Sequence, residues 1–427
     1  MDQARQPTER PESLWSIDPA VARLIDAEAD RQQASIDMVA SENVVPLAVL
    51  EAQGSILTNK YADGYPGRRE YDGCEVVDEI ERLAIERAKA LFGAEHANVQ
   101  PYSGSSANAA VLHALCAPGD PILGFAFEEG GHPTQYDRST FAGRYYEGHA
   151  YGVRESDRLI DIDQVREIAM RVQPKVIFAG WSAYPRIVDF AAFRAIADEV
   201  GAYLVADMAH YSGLVAAGLH PSPVPYADAC TFTTHKTLGG PRGGGIVCTA
   251  AVAKRIDDAV FPGEQGAPLM HVIAAKAVTF ALCRTEQYVE RMARTLAGAR
   301  TIAGRFARVS EESGIDVVTG GTDVHLVLLD VTRTTETAGE LLDALHRVGV
   351  HANAMRIAFD PQPAPDCSGL RLGTAALATR GFGGPEFECL ADCLVEAVGP
   401  DRHRAADRIA ERLRALVAAF PIAGGRS

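Results

Sequence analysis

The 427-residue chain has eight cysteines but no C-x-x-C pair, no lysine- or arginine-rich run, no apolar stretch of membrane length and no internal repeat. Each absence removes a class of protein. Without closely paired thiols neither a zinc knuckle nor a small disulfide framework is expected, and scattered cysteines read as the reduced thiols of a cytoplasmic protein. Cys389 and Cys393, one helical turn apart with no second ligand pair nearby, read as helix packing, so no metal site is expected. The balance of 41 Lys+Arg against 56 Asp+Glu, a formal charge of -15, disfavours nucleic acid and anionic membranes as partners. Residues 1–13 are polar, lack the apolar core of an export signal and read as a tail. What remains is an ordinary globular composition, 47% apolar and 23% charged, in a chain long enough for two or three domains.

Apolar periodicity over 15–32, with Asp18 before Pro19 as a cap, predicts a mostly helical arm fit to clasp a second subunit. Helices are expected over 46–57, 75–91 and 107–117. The loop 59–73, with its three tyrosines and several charges, reads as a binding loop. Beyond residue 120 short apolar strands at 121–127, 175–179, 203–206 and 231–234 alternate with helices at 162–172 and 190–200. That alternation predicts an α/β fold with a mostly parallel sheet, whose sites lie at the carboxyl ends of strands. A long helical stretch is expected over 272–307, then a smaller α+β part ending in helices at 386–398 and 405–419. The chain divides into a tail and arm, 1–57, a large domain, 58–290, and a small C-terminal domain, 291–427.

The stretch from Thr233 to Gly245 concentrates the chemistry. A lysine forms a Schiff base with a carbonyl cofactor once its amine loses a proton, which desolvation or adjoining positive charge promotes; His235 and Arg242 flank Lys236 to supply that charge. The glycines of the stretch are expected to let the backbone lie against a bound group. Asp207 ends one strand and Lys236 follows the next, so both reach one edge of the sheet. Ser103, Gly104 and Ser105 open a helix, where hydroxyls, backbone N–H groups and the helix dipole suit a phosphate. Together with His132, which follows Gly130 and Gly131, these residues meet the needs of pyridoxal 5'-phosphate.

With Ser41-Glu42-Asn43, the 53–62 segment, Asp207-Met208-Ala209-His210, Thr233-Thr234-His235-Lys236-Thr237, Gly240-Pro241-Arg242 and Thr379-Arg380-Gly381 in this order, the chain resembles the serine hydroxymethyltransferase family, over about residues 15–398. The resemblance implies the pyridoxal-phosphate type I fold: a seven-stranded, mostly parallel sheet sandwiched by helices, a smaller C-terminal α+β domain and an N-terminal helical arm. It makes Lys236 the Schiff-base lysine, with Thr233 and His235 beside it. Asp207 becomes the pyridinium partner, His132 the stacking ring, and Ser182 and His210 neighbours of the cofactor oxygen. Arg371 would clamp the substrate carboxylate, with Ser41 and Tyr71 assisting. Tyr61, the acid Asp63 and Tyr71 would reach the site from a neighbouring subunit, as would the Gln265-Gly266 loop near the phosphate. An obligate homodimer, or a tetramer built from it, is implied. The chemistry implied is cleavage and formation of the Cα–Cβ bond of β-hydroxy-α-amino acids through a glycyl quinonoid.

Departures from the family pattern gather on the folate side. Asp63 stands where the family has Glu, and Glu70 replaces the first tyrosine of a Tyr-Tyr pair. Phe127 and Pro133 replace leucines that line the folate, Gln135 replaces a second histidine, and Met355 replaces an asparagine that hydrogen-bonds the pterin. Such changes around one ligand, beside an unaltered lysine and clamp, lead to the expectation of a folate-independent L-threonine aldolase or transaldolase acting on an aldehyde acceptor, with tetrahydrofolate in question. The alternative is a tetrahydrofolate-dependent serine or 2-methylserine hydroxymethyltransferase.

Overall fold

The computed structural model describes residues 13–363 and 365–422; apart from Ser13, the expected tail lies outside them. Seven strands make the central sheet: β1 His96–Asn98, β2 Pro121–Phe125, β3 Glu147–Tyr151, β4 Val176–Gly180, β5 Tyr203–Asp207, β6 Ala229–Thr233 and β7 Gly244–Cys248. Their order is β1-β7-β6-β5-β4-β2-β3. The five from β2 to β6 are parallel, and β7 runs antiparallel to both β6 and β1. Successive side chains of a strand face opposite ways, and the sheet uses both faces. Ile177 and Ala179 join one apolar cluster, and Val176 and Phe178 join another on the other side.

Five helices build the arm, brace the site and link the sheet to a second core: α1 Pro19–Ala34, α2 Glu75–Phe92, α3 Gly104–Leu115, α4 Met270–Leu282 and α5 Glu286–Ser313. Asp18 caps α1 as its position before proline predicts, accepting from the Ala20 and Val21 N–H groups at 3.1 Å each. The helical stretch expected over 272–307 is two helices, because Thr285 caps α5 and accepts from the Tyr288 N–H at 3.3 Å. Early in α5, Tyr288, Met292 and Leu296 pack into the core of the large sheet; later, Ala299, Ile302 and Phe306 pack into a separate core. The expected 290/291 boundary thus falls inside a helix shared by the two cores.

The second core covers a four-stranded antiparallel sheet of β8 Asp316–Val317, β9 Leu326–Asp330, β10 Asn353–Met355 and β11 Gly369–Gly373, in the order β8-β9-β11-β10. Arg380 ties the chain's first and last helices together. Its guanidinium donates to the carbonyls of Gln33 at 3.0 Å, in the last turn of α1, and Ser35 at 2.8 Å, its C-cap, and to Val417 at 3.1 Å and Phe420 at 2.9 Å. Among the described residues no helix is long and apolar enough to cross a membrane, no cluster of His, Cys, Asp or Glu is placed to hold a metal, and all eight cysteines are free.

Candidate active site

Asp207 and Lys236 meet because β5 and β6 are parallel neighbours, with Asp207 opposite Thr231. Solvent reaches part of Lys236. Its amine is nevertheless lowered to about 8, by desolvation first; Asp207 opposes that shift, and Arg371 and Arg242 assist it. The expected contribution of His235 is absent, because burial, then Arg242 and Lys236, pull its own imidazole down to about 3 and leave it neutral. Among the described residues the Lys236 amine makes no hydrogen bond or ion pair. Its carbonyl is held by the Asn43 amide at 2.8 Å and by the Gly239 N–H at 3.0 Å.

Asp207 sits at the centre of a buried web. One carboxylate oxygen accepts from the Ala209 N–H at 3.1 Å, the other from Asn108 at 3.0 Å and Gln135 at 3.3 Å. Asn108, on α3, also accepts from the Thr231 hydroxyl at 2.7 Å and donates to Thr134 Oγ1 at 3.0 Å. The Thr134 hydroxyl is thereby free to donate to His132 Nδ1 at 2.6 Å, and the Thr134 N–H points to the same nitrogen at 3.3 Å. Nδ1 is therefore an acceptor, and neutral His132 carries its proton on Nε2. Burial lowers the His132 imidazole and Lys236 adds to that, against the pull of Asp207. His210, lowered well below its ordinary value by burial and then Lys236, stacks on Trp181 with centroids 5.6 Å apart.

Ser103 caps α3 through a reciprocal pair, accepting from the Ser106 N–H at 3.1 Å while its own N–H donates to Ser106 Oγ at 2.8 Å. The N–H groups of Gly104 and exposed Ser105 have no partner among the described residues. These free donors and the unbonded Lys236 amine are what a phosphorylated aldehyde would satisfy, so the residues present fit pyridoxal phosphate. The glycines beyond Lys236 serve a different purpose from the one expected. A Cβ on Gly243 would lie 2.6 Å from Lys276 Cε, one on Gly244 would strike the Ser103 carbonyl, and one on Gly245 would enter the Phe232 ring. They admit the protein's own atoms. Thr233 likewise spends its hydroxyl on the Ala209 carbonyl at 3.0 Å, while its methyl packs over Gly104.

Arg371, on β11, is buried, which lowers it to about 10. Its Nε donates to Asn353 Oδ1 at 2.9 Å, and its Nη1 donates to the Ser182 carbonyl at 2.8 Å. Ser182 thus contributes its backbone. Ser41 and His235 line a cavity of about 410 Å³ together with Arg242 and Asn43.

Other expected residues do not join this cluster within one chain. Tyr61 and Tyr71, 57% and 50% exposed, stack edge to face at 5.3 Å on the surface loop. Asp63 lies between two carbonyls, Ala62 and Gly64, that Arg69 grips at 2.9 and 2.8 Å, and its own Oδ1 is buried without a partner. Gly266 is exposed, with open space around it. Sequence reasoning missed Asn108, Thr134, Thr231 and Asn353, whose only signal was a polar side chain in an apolar element. Gln135, expected on the folate side, is fully buried and donates to Asp207.

A lysine kept reactive by desolvation, opposite a hydrogen-bonded acid at the strand ends of a parallel sheet, defines the class of type I pyridoxal-phosphate enzymes. Within that class, residues 14–394 match the family model described as serine hydroxymethyltransferase. Curated serine hydroxymethyltransferases from Nocardia farcinica and Leifsonia xyli are 56% and 57% identical to the chain, covering 97% of it and 96% of their own length. Serine hydroxymethyltransferase 2 of Mycobacterium tuberculosis is 53% identical over 96% of this chain and 97% of its own. The chain belongs to the serine hydroxymethyltransferase family, whose members are pyridoxal-phosphate-dependent transferases.

These relatives overturn the expectation of a folate-independent L-threonine aldolase or transaldolase. Proteins alike at more than half of all positions, end to end, carry the hydroxymethyltransferase name, and none of the three points to threonine. The physical argument behind that expectation also weakens, since Gln135 is fully buried and donates to Asp207. With it the case against tetrahydrofolate loses its support.

Proposed function

We propose that the chain is a hydroxymethyltransferase that moves a one-carbon unit between serine and glycine with tetrahydrofolate as the carrier. The observation that carries the reading is the lowered Lys236 amine with hydrogen-bonded Asp207 and the buried Arg371 fork around it, which both bear electrostatically on that amine. The nearly full-length likeness to named serine hydroxymethyltransferases supports the choice of reaction.

In this reading Lys236 holds the cofactor aldehyde, Asp207 its ring nitrogen, His132 and His210 its ring and oxygen, and the Ser103–Ser105 turn its phosphate. When bound, pyridoxal phosphate supplies a sink for the electron pair released as the Cα–Cβ bond breaks. The chain's own groups do the rest. Arg371 has spent its Nε–H and one Nη1–H on Asn353 and Ser182. The other Nη1–H and both Nη2–H donors remain for a substrate carboxylate, with geometry set before it arrives. Asn108 and Gln135 donate to Asp207 and fix its carboxyl group where the cofactor's ring nitrogen would lie. His132, neutral with its proton on Nε2, offers a hydrogen-bond donor to the bound molecule. Asp63 takes and returns the proton of the substrate hydroxyl.

The reading includes a homodimer. Tyr61 and Tyr71 are exposed, Asp63 Oδ1 has no partner, and the arm exposes Leu14, Trp15, Ile17, Leu24 and Ile25, a face that a second copy would cover. The test is to supply the purified holoenzyme with L-serine or L-threonine, with and without tetrahydrofolate. Strong acceleration of serine-to-glycine conversion by tetrahydrofolate is expected. An unchanged rate overturns the reading.

A further inference from the structure

Behind the phosphate turn lies a lysine that takes no part in holding the cofactor aldehyde. Lys276, on α4, is 1% exposed, and its Nζ donates to the carbonyls of Val99 at 2.7 Å, Pro101 at 3.0 Å and Gly244 at 2.8 Å. Burial lowers the Lys276 amine to about 7, with the Glu81 carboxylate opposing that shift. No carboxylate bonds it among the described residues, so its hydrogen bonds go to backbone carbonyls alone. Three hydrogen bonds from one buried amine cross-link the backbone segments they reach.

What it bonds are the two segments that shape the turn. Val99 and Pro101 lead directly into the cap Ser103. Gly244 donates its own N–H to the Pro101 carbonyl at 3.0 Å and packs its Cα against the Ser103 carbonyl. Gln100, between the two gripped carbonyls, donates to Gly64 O at 2.9 Å and Glu81 Oε1 at 2.7 Å, and its own carbonyl accepts from Gln265 at 2.9 Å. The whole 99–101 segment is therefore fastened before any ligand arrives.

We propose that Lys276 is a positioning residue that preforms the 103–105 turn, locking the carbonyls behind it so that the N–H groups of Gly104 and Ser105 stay aimed at a phosphate. The inference rests on the pyridoxal-phosphate reading of the site and is independent of which amino acid is transformed.

Two measurements decide it. Lys276→Met removes the donors at similar volume. The dissociation constant for pyridoxal phosphate is expected to rise about tenfold or more, while that for pyridoxal, which lacks the phosphate, stays within about twofold. An equal loss for both ligands means a core residue only and overturns the inference. Hydrogen exchange on the wild-type chain stripped of cofactor tests preformation directly, even where the variant does not fold. The amides of Ser103, Ser106 and Gly244 are expected to be protected already. Rapid exchange that slows only on adding pyridoxal phosphate overturns it. A selective loss of phosphate affinity in Lys276→Met, found in a protein whose wild type fails to transfer hydroxymethyl groups, would remove the proposed hydroxymethyltransferase activity and leave Lys276's role standing.

Discussion

At the floor of the site Asp207, Asn108, Thr134, Thr231, Gln135 and His132 form one buried web in which each polar group answers another. At the rim Tyr61, Tyr71 and Phe127 are exposed and Asp63 Oδ1 has no partner. The floor is finished by a single chain, whereas the rim, in the proposed homodimer, is the half that a second copy would complete. A substitution on the floor alters a network whose members are all present, so its effect can be reasoned from the bonds it breaks. A substitution on the rim, in the proposed homodimer, acts on a geometry shared with the second copy. That is why Asp63 invited too large a conclusion.

The contrast can be broken from either side. Lys236→Ala should cut serine-to-glycine turnover by about a thousandfold or more while the thermal midpoint changes little, measured by steady-state kinetics beside calorimetry. Arg371→Lys keeps the charge and loses the fork; the KM for L-serine should rise about a hundredfold with a smaller change in kcat. Asn108→Ala strips donors from Asp207 and Thr134 together, and the cofactor's dissociation constant should rise about tenfold by equilibrium dialysis. Because the Lys236 amine is lowered to about 8, its neutral fraction grows with pH below that value. Capture of pyridoxal phosphate by the stripped chain should therefore quicken by about tenfold per pH unit up to about pH 8 and then level off, as followed by stopped-flow absorbance. Asp63→Glu, the smallest expected effect, should move kcat by less than about tenfold. A gain near a hundredfold would show that the rim limits the enzyme and would turn the contrast into a functional one.

Legibility divided along the same line. Strand alternation and the helices Ile162–Val172 and Phe190–Val200 could be read directly, because apolar periodicity is strong there. It carried Asp207 and Lys236 to one edge without any contact being known. Strand β7 was hidden, since its glycines were expected to lie against a bound group, and only the antiparallel pairing with Thr233 and Phe232 shows why side chains are excluded. The break at Thr285 was masked by apolar residues continuing on both sides. Gln135 and Asn108 carry no local mark of direction; a buried amide looks like a surface one until the sheet and helix that enclose it are placed.

Arg380 has a consequence for the chain during its synthesis. The carbonyls it gathers come from the end of the first long helix and from the last one. At ribosomal speeds of about 5–20 residues per second, roughly 20–80 s separate the emergence of those two segments. For that interval the arm, with Leu14, Trp15, Leu24 and Ile25 outward, has no clasp to hold it. Its docking, and any pairing of two copies through it, thus waits for the last helix to emerge, and until then the arm offers that greasy surface to chaperones.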